Sequence, residues 1–495
     1  MNHLQKSYRP DPHAQYLLQL LALPTALVLI AAIRYVLKVV PAGIVNLICL
    51  LLLLAALLEQ LNTWVWGSGL LVLLLGTGLF LSIRTHFFQI FGIRTIFRQT
   101  FGRLFRREDG AEQWKTCSAA LAAAMGTGNI VGVAAAISAG GAGAVFWMWV
   151  SAFLGMMLTY AENVLAVRYR SETEEWAVGA LAYLKNGLRS PILAGLYAVF
   201  CVLASFGMGN MTQSSAAAAA LEHGCHIPPI WTGVGVTILL LGTVLGGMRT
   251  IGTVTQFLMP ILSGGYLLAA VIVLVQHAGQ LGTAFATIFH AAWHPAAVGG
   301  GTLGTVLSAG LRHGVFSNEA GLGSSAMIHS HAVDAVHGQQ GMWSMVEVFV
   351  DTMLCCTVTA LVLLCTGTAG TDGISGIAAA FSSVFGIGAE PMLSWMIALF
   401  ALATLLGWCC CGEVAVRYLG GERGVRWYRW AYCFAGGLGA VGTLSTIWTF
   451  SDLANGLMAI PNLLGILLLF RKADLPDNVY RKCTKKNCKK KKNMV

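Results

Sequence analysis

The chain has 495 residues, 56% of them hydrophobic and only 11% charged, with a mean hydropathy of +0.71. Soluble domains usually carry about 25% charged residues, so this composition excludes a large soluble core and defines a polytopic membrane protein. The net charge of +10 does not indicate nucleic acid, because the basic residues fall in a few short loops and in the tail from Arg481 to Lys492. That is the positive-inside pattern, with the C-terminus in the cytoplasm. Such a tail also suits contact with anionic membrane lipid, although a topological anchor is the plainer reading. Most of the 13 Cys sit in apolar runs such as Cys355-Cys356 and Cys409-Cys410-Cys411, where they read as small core hydrophobes. Cys483 and Cys488 lie among lysines with no His or acidic partner, which argues against a zinc site.

In chain order, residues 15–33 are apolar and long enough to span. They read as an extra span rather than a cleaved signal, given Pro24 and the lack of a small-residue cleavage site. Residues 43–61 either span or lie as an interfacial helix ahead of Trp64 and Trp66. Further spans fall at 67–83, 116–139, 145–167, 192–215, 230–248, 255–276, 303–330, 342–366, 388–411, 428–448 and 452–470. Basic loops order them: Arg84 to Arg107, then Arg168 to Arg189, Arg249, and Arg417 to Arg429 mark inner connections. The stretches 277–300 and 367–387 contain no Lys or Arg and are expected outside.

The expected organisation follows. Residues 1–61 are an N-terminal extension with one or two extra spans, and 62–115 a leading span with a basic cytoplasmic loop. Residues 116–276 are a first five-helix repeat, 277–302 an external connection, 303–471 a second five-helix repeat and 472–495 a basic cytoplasmic tail. An odd number of spans per half makes the second half enter the membrane in the opposite sense. This gives an all-α, five-plus-five inverted repeat with two broken helices.

Each half opens on a helix interrupted by glycines. The first interruption is Gly126-Thr127-Gly128-Asn129 and the second runs from Ser317 through Asn318, Glu319, Ala320, Gly321, Leu322 and Gly323 to Ser324. An unwound turn at membrane depth survives only against a cavity or a bound solute. Paired breaks in corresponding positions point to the binding site of a secondary transporter. At the first, freed carbonyls suit a cation and freed N–H groups a carboxylate, while Asn129 offers an amide to either. Close helix packing through small residues is the alternative there. At the second, Glu319 is an intramembrane acid and so a functional hypothesis by default. A structural ion pair with Arg312, a turn or two earlier, is the alternative, and both residues are assigned to gating or structure. Gln213, within Gly207-Met208-Gly209-Asn210-Met211-Thr212-Gln213, either faces the cavity or bridges helices. Thr404 either ligates a cation or back-bonds to its own helix. Glu162, Glu347, Asp351, Glu413 and Asp452 read as span-end residues, snorkelling or in interhelical pairs. His329, His331 and His337 read as exposed. A serine hydrolase built on Ser324 and His329 finds no persuasive spacing, so an enzyme is not expected.

Ala124-Met125-Gly126-Thr127-Gly128-Asn129-Ile130-Val131-Gly132, Gly143-Ala144-Val145-Phe146-Trp147-Met148-Trp149, Gly314 to Ser324, Leu406-Gly407-Trp408 and Asn455 to Asn462 closely resemble the alanine/glycine:cation symporter family. The resemblance covers about residues 62 to 471. It implies a sodium-coupled, sometimes proton-coupled, importer of small neutral amino acids in a bacterial inner membrane, with the fold of neurotransmitter-type sodium symporters. No obligate protein partner is implied. Carried onto this chain, sodium would take the carbonyls of Ala122 and Met125 with the hydroxyl of Thr404, and a second cation Asn129. The substrate-lining set would be Gly126, Thr127, Gly128, Asn129, Gln213, Ser317, Asn318, Gly321 and Trp408. Where the family often has Ser or Thr before Thr404, this chain has Ala403, which removes one hydroxyl ligand from the presumed sodium set.

Overall fold

A backbone in hydrocarbon must satisfy its own N–H and C=O groups, which long helices do internally. The computed structural model describes residues 42–104, 110–171, 174, 176–246, 248–294, 303–330, 337–371, 373–442 and 444–472, and every regular element among them is helical. The span expected at 15–33, the polybasic tail with Cys483 and Cys488, and His331 lie outside the described residues. Seven stretches of described residues are long and apolar enough to cross a membrane. The chain divides into two units, residues 1–64 and 65–495. The described part of the first is residues 42–64 of the helix α1 (Ala42–Val65), whose 24 residues exceed the roughly 20 needed to cross a bilayer.

The second unit opens with α2 (Ser68–Arg84). Its first half comprises α3 (Gly110–Ala124), one 3-10 turn at Thr127–Asn129 and α4 (Val131–Gly140), followed by α5 (Gly143–Tyr169). Next, α6 (Pro191–Phe206) runs through a π turn, Gly207–Met211, into α7 (Thr212–Cys225). The half closes with α8 (Pro229–Val244) and α9 (Met248–Gln276). The expected external connection contains a helix of its own, α10 (Leu281–Trp293). Its buried Ala284, Ile288, Ala291 and Ala292 repeat at the helical period, so one face packs while the rest stays exposed.

The second half begins with α11 (Leu303–Asn318), an irregular turn and α12 (Ser324–His329). α13 (His337–Val348) passes through a π segment, Phe349–Cys356, into α14 (Thr357–Thr366). Then come α15 (Gly373–Phe385), α16 (Ala389–Val441) and α17 (Leu444–Leu469). α16 departs from the expected pair of spans joined by a basic loop. It is 53 residues long, interrupted only at Gly421, where φ is 61 and ψ −162. At about 1.5 Å per residue that far exceeds one crossing, so Gly421, whose conformation a side chain would oppose, folds it into two limbs. Arg429 on the second limb donates to both carboxylate oxygens of Glu413 on the first, at 2.7 and 2.8 Å. At the fold itself, a hydrogen bond from Arg417 holds the Glu422 carboxyl below its ordinary pKa.

Small residues bring the broken helices close to their neighbours, as is usual where lipid supplies no hydrophobic drive between helices. A Cβ at Gly314 of α11 would stand 2.8 Å from Ser151 Cβ of α5, and one at Gly140 of α4 would stand 2.9 Å from Ala309 Cβ of α11. A Cβ at Gly407 of α16 would lie 2.8 Å from Ala123 Cα of α3. The two breaks are thereby held against α5, α7 and α16, and around them the interior is filled by Met125, Ile130, Tyr266, Phe381 and Phe400, all buried.

Candidate functional site

The first break starts where α3 stops. Gly126 is extended (φ −118, ψ −151), and its N–H turns back to the Ala124 carbonyl at 2.9 Å. The Thr127 N–H is thereby released from the helix ladder. It donates to Gln213 Oε1 at 3.0 Å, and the Thr127 hydroxyl donates to the same oxygen at 2.8 Å. Gln213 is positioned by its Nε2, which donates to the Met208 carbonyl at 3.1 Å within the π turn. That turn puts a glycine, Gly209, directly against the Trp408 ring. Beside the break, Thr404 Oγ1 donates to the Ala122 carbonyl at 3.1 Å. Thr404 therefore bonds across to α3 rather than along its own helix. Met125, the last residue before Gly126, is buried, and its sulfur receives Ser263 Oγ at 3.7 Å.

The second break is held open by its own side chains. Glu319 has φ 55, Gly321 φ 90 and Gly323 φ 77. For a long side chain such as Glu319 the left-handed region is unfavourable, so other contacts must fix it. Trp408 Nε1 donates to Glu319 Oε1 at 2.7 Å, and Ser324 Oγ donates to Oε2. Asn318 Oδ1 caps the Ala320 N–H at 3.0 Å. Asn462 Nδ2 takes the Gly321 carbonyl at 2.8 Å and Tyr197 the Leu322 carbonyl at 2.9 Å. A Cβ at Gly321 would point at Leu74, Leu463 and Leu158, not at the first break. Arg312 does not pair with Glu319. It reaches Asp452 at 3.8 Å and covers the Trp66 ring at 5.4 Å.

One prediction arises at this turn. Glu319→Ala strips the acceptor from a buried indole N–H and a buried hydroxyl, each costing about 1–3 kcal/mol when left unmade. A marked fall in melting temperature is expected, whereas Glu319→Gln, which keeps an acceptor for Trp408, should melt near the wild type. Equal melting of all three proteins would show that Glu319 does not hold the turn.

Asp351 joins the two breaks. It lies in the π segment and is fully buried. Its Oδ1 accepts from Asn129 Nδ2 of the first break at 2.6 Å, and its Oδ2 from Ser317 Oγ of the second at 2.6 Å. Thr352 Oγ1 adds a further bond to Oδ2 at 2.7 Å. Asn129 Nδ2 also reaches the Asp351 carbonyl at 3.0 Å, while Asn129 Oδ1 is buried without a partner, as is Asn318 Nδ2. Phe316, stacked on Trp448 at 4.5 Å, would lie 3.3 Å from a Cβ at Gly128 and covers that side.

This corrects the span-end reading of the acids. Glu162, Glu347, Asp351 and Glu413 are all at most 2% exposed, so none snorkels. The Glu413–Arg429 bond fits the interhelical-pair alternative, and Glu162 accepts from Asn462 Nδ2 at 2.6 Å. His329 is buried too, against the expectation of exposure. It bonds to Gln340 and Glu347, whereas Ser324 bonds to Glu319, so no serine–histidine pair forms. The signal for Asp351 was present in the sequence: an acid well inside an apolar stretch.

The profile of the sodium:alanine symporter family matches residues 51–494. The sodium/alanine symporter AgcS of Methanococcus maripaludis is 38% identical over 430 residues, 84% of this chain and 94% of that one. A putative sodium/proton-dependent alanine carrier protein, YrbD of Bacillus subtilis, is 30% identical over 87% of this chain and 93% of its own. A probable sodium/glutamine symporter, GlnT of the same organism, is 32% identical over 82% and 87%.

Proposed function

Because the chain belongs to the sodium:alanine symporter family, we propose that it imports small neutral amino acids, alanine and glycine, with sodium across a bacterial inner membrane. Transport would proceed by alternating access of the two broken helices in a five-plus-five inverted repeat. The observation that carries this reading is Asp351, a buried carboxylate bonded to Asn129 of one break and Ser317 of the other. Both oxygens of its side chain take hydrogen bonds, from Asn129, Ser317 and Thr352, an arrangement that suits the carboxylate form. A buried anion calls for a cation, and the unpartnered Asn129 Oδ1 beside it is a hard oxygen of the kind such ions prefer. Sodium at Asp351, Asn129, Ser317 and Thr352 supplements the Ala122, Met125 and Thr404 set, in which Ala403 provides no hydroxyl.

The amino acid's carboxylate would take the donors of Thr127, at which the Gln213 oxygen now sits, so Gln213 yields as the substrate enters. Gly126 and Gly128 admit it to the backbone, and Trp408 and the Ser317–Asn318 end of α11 close the opposite side. Gly321, facing away, belongs to the turn's support. Glutamine is the alternative substrate, suggested by the name of one relative, since a hydrophobic pocket discriminates by only about 1–3 kcal/mol per methylene.

Radiolabelled alanine uptake into proteoliposomes tests this. An inward sodium gradient is expected to drive accumulation that a potassium gradient does not, with glycine competing. Uptake indifferent to every imposed cation gradient would rule out symport.

A further inference from the structure

The connection between α5 and α6 is fastened to the half-helix that follows the second break. α12 has six residues, so most of its end groups must be met by neighbours. Ser330 is its C-cap. Arg170, the residue after α5, donates from Nη1 to the Ser330 carbonyl at 2.7 Å, and the Gly179 N–H donates to Ser330 Oγ at 3.1 Å. Gly179 has φ 57, and a Cβ there would stand 2.7 Å from Met327 Cα of α12. A larger residue would force the two backbones apart.

The same connection is pinned to α16. After one short helical turn, Gly179–Ala182, comes a π turn at Tyr183–Gly187. Lys185 in that turn sets its Nζ 4.3 Å from the centre of the Trp176 ring and 5.0 Å from that of Tyr418. The two rings lie 5.0 Å apart at 58° and form one wedge around the ammonium. Trp176 belongs to the connection, whereas Tyr418 lies on the first limb of α16, which also carries Thr404 and Trp408. All three side chains are half-buried, where a cation over aromatic faces is held more firmly than in open water.

These two attachments differ in kind. At Ser330 the bonds are direct, and Ser330 is buried. At Lys185 the hold is a compact, strongly hydrated charge between rings, which water can take over as the rings part. The wedge is therefore where the connection releases first. We propose that the α5–α6 connection is a strap on the side expected inside, which keeps α12 closed while Lys185 sits between Trp176 and Tyr418. When Lys185 leaves, the connection loses its hold on α16, and α12 swings with Arg170 and Gly179 still attached. The consequence for solute release rests on the transport reading above; the strap itself does not.

Hydrogen exchange of the full chain in lipid nanodiscs, read by mass spectrometry with no gradient imposed, tests the strap. In the wild type, the amides of residues 324–330 and 183–187 should share one protection factor, because they open as a unit. Lys185→Ala should raise exchange at 324–330 by about 2- to 30-fold, the loss of a cation–π contact worth about 0.5–2 kcal/mol. Its melting temperature should stay near the wild type. Trp176→Ala should do the same, whereas Lys185→Arg, whose guanidinium also stacks on rings, should exchange like the wild type. Protection of α12 that differs from that of the π turn in the wild type overturns the proposal without any variant having to fold. Unchanged exchange at 324–330 in folded Lys185→Ala overturns it as well, as does a rise in Lys185→Arg equal to that in Lys185→Ala. The expected exchange in a protein that takes up no alanine would overturn the transport reading and leave the strap standing.

Discussion

Asp351→Ala is expected to abolish sodium-dependent alanine uptake while the protein still inserts and folds. The substitution removes a carboxylate bonded to both breaks and leaves Asn129 and Ser317 to face an ion without a counter-charge. Truncating one partner of a desolvated charge pair costs about 2–5 kcal/mol, which corresponds to a loss of sodium affinity of roughly 30-fold or more. Asp351→Asn keeps the shape and one acceptor, so its fold should survive better, yet it lacks the charge and should also need far more sodium. Sodium titrations of uptake, paired with sodium-dependent melting, measure both effects. A wild-type sodium dependence in Asp351→Ala would remove Asp351 from the ion site.

Gly126→Ala is expected to reduce uptake almost as severely. The new Cβ would stand 2.5 Å from Thr404 Oγ1 and 2.8 Å from Gln213 Oε1, so both side chains must leave the first break. Overpacking of this kind costs about 1–3 kcal/mol, roughly a 5- to 150-fold effect if all of it falls on the bound state. Gly132→Ala supplies the control on the adjoining half-helix α4. Nothing lies within 4 Å of its Cβ position, and exchanging a mid-helix Gly for Ala usually gains about 0.5–1 kcal/mol. Transport should therefore fail in the first variant and persist in the second. Equal uptake by both would mean that the first break is mere packing.

The contrast between these two glycines shows what the sequence carried. Paired glycine-rich interruptions carrying polar residues in apolar helices are legible because unwound backbone at membrane depth needs a cavity or a solute; Gln213 and Thr404 stood out as polar residues inside spans, and Trp408 entered only with the family resemblance. Asp351 was misread as a span-end residue although it lies well inside the 342–366 stretch, and hydropathy does not say which way a residue at that depth faces. The π segment Phe349–Cys356 shifts the facing by an extra residue per turn and turns an acid inward. Likewise the basic stretch from Arg417 to Arg429 read as a loop, because charge marks the side of the membrane and not the conformation. The chain needs no more than Gly421 to reverse there.

One contact makes the two breaks mechanically unequal. A Cβ at Gly321 would meet Leu74 Cδ2 at 2.6 Å, so α2 leans directly on the second turn. α2 is itself keyed into α5, where a Cβ at Gly78 would meet Leu154 Cβ at 2.9 Å. The first break is lined by Thr404, Gln213 and Phe316, all from within the two halves. A duplicated five-helix unit could supply matching hinges, but it could not supply this buttress. In the proposed five-plus-five repeat, this preceding helix would give the second break a bearing that the first does not share, and a chain trimmed to its ten repeated helices would keep both breaks but lose that support.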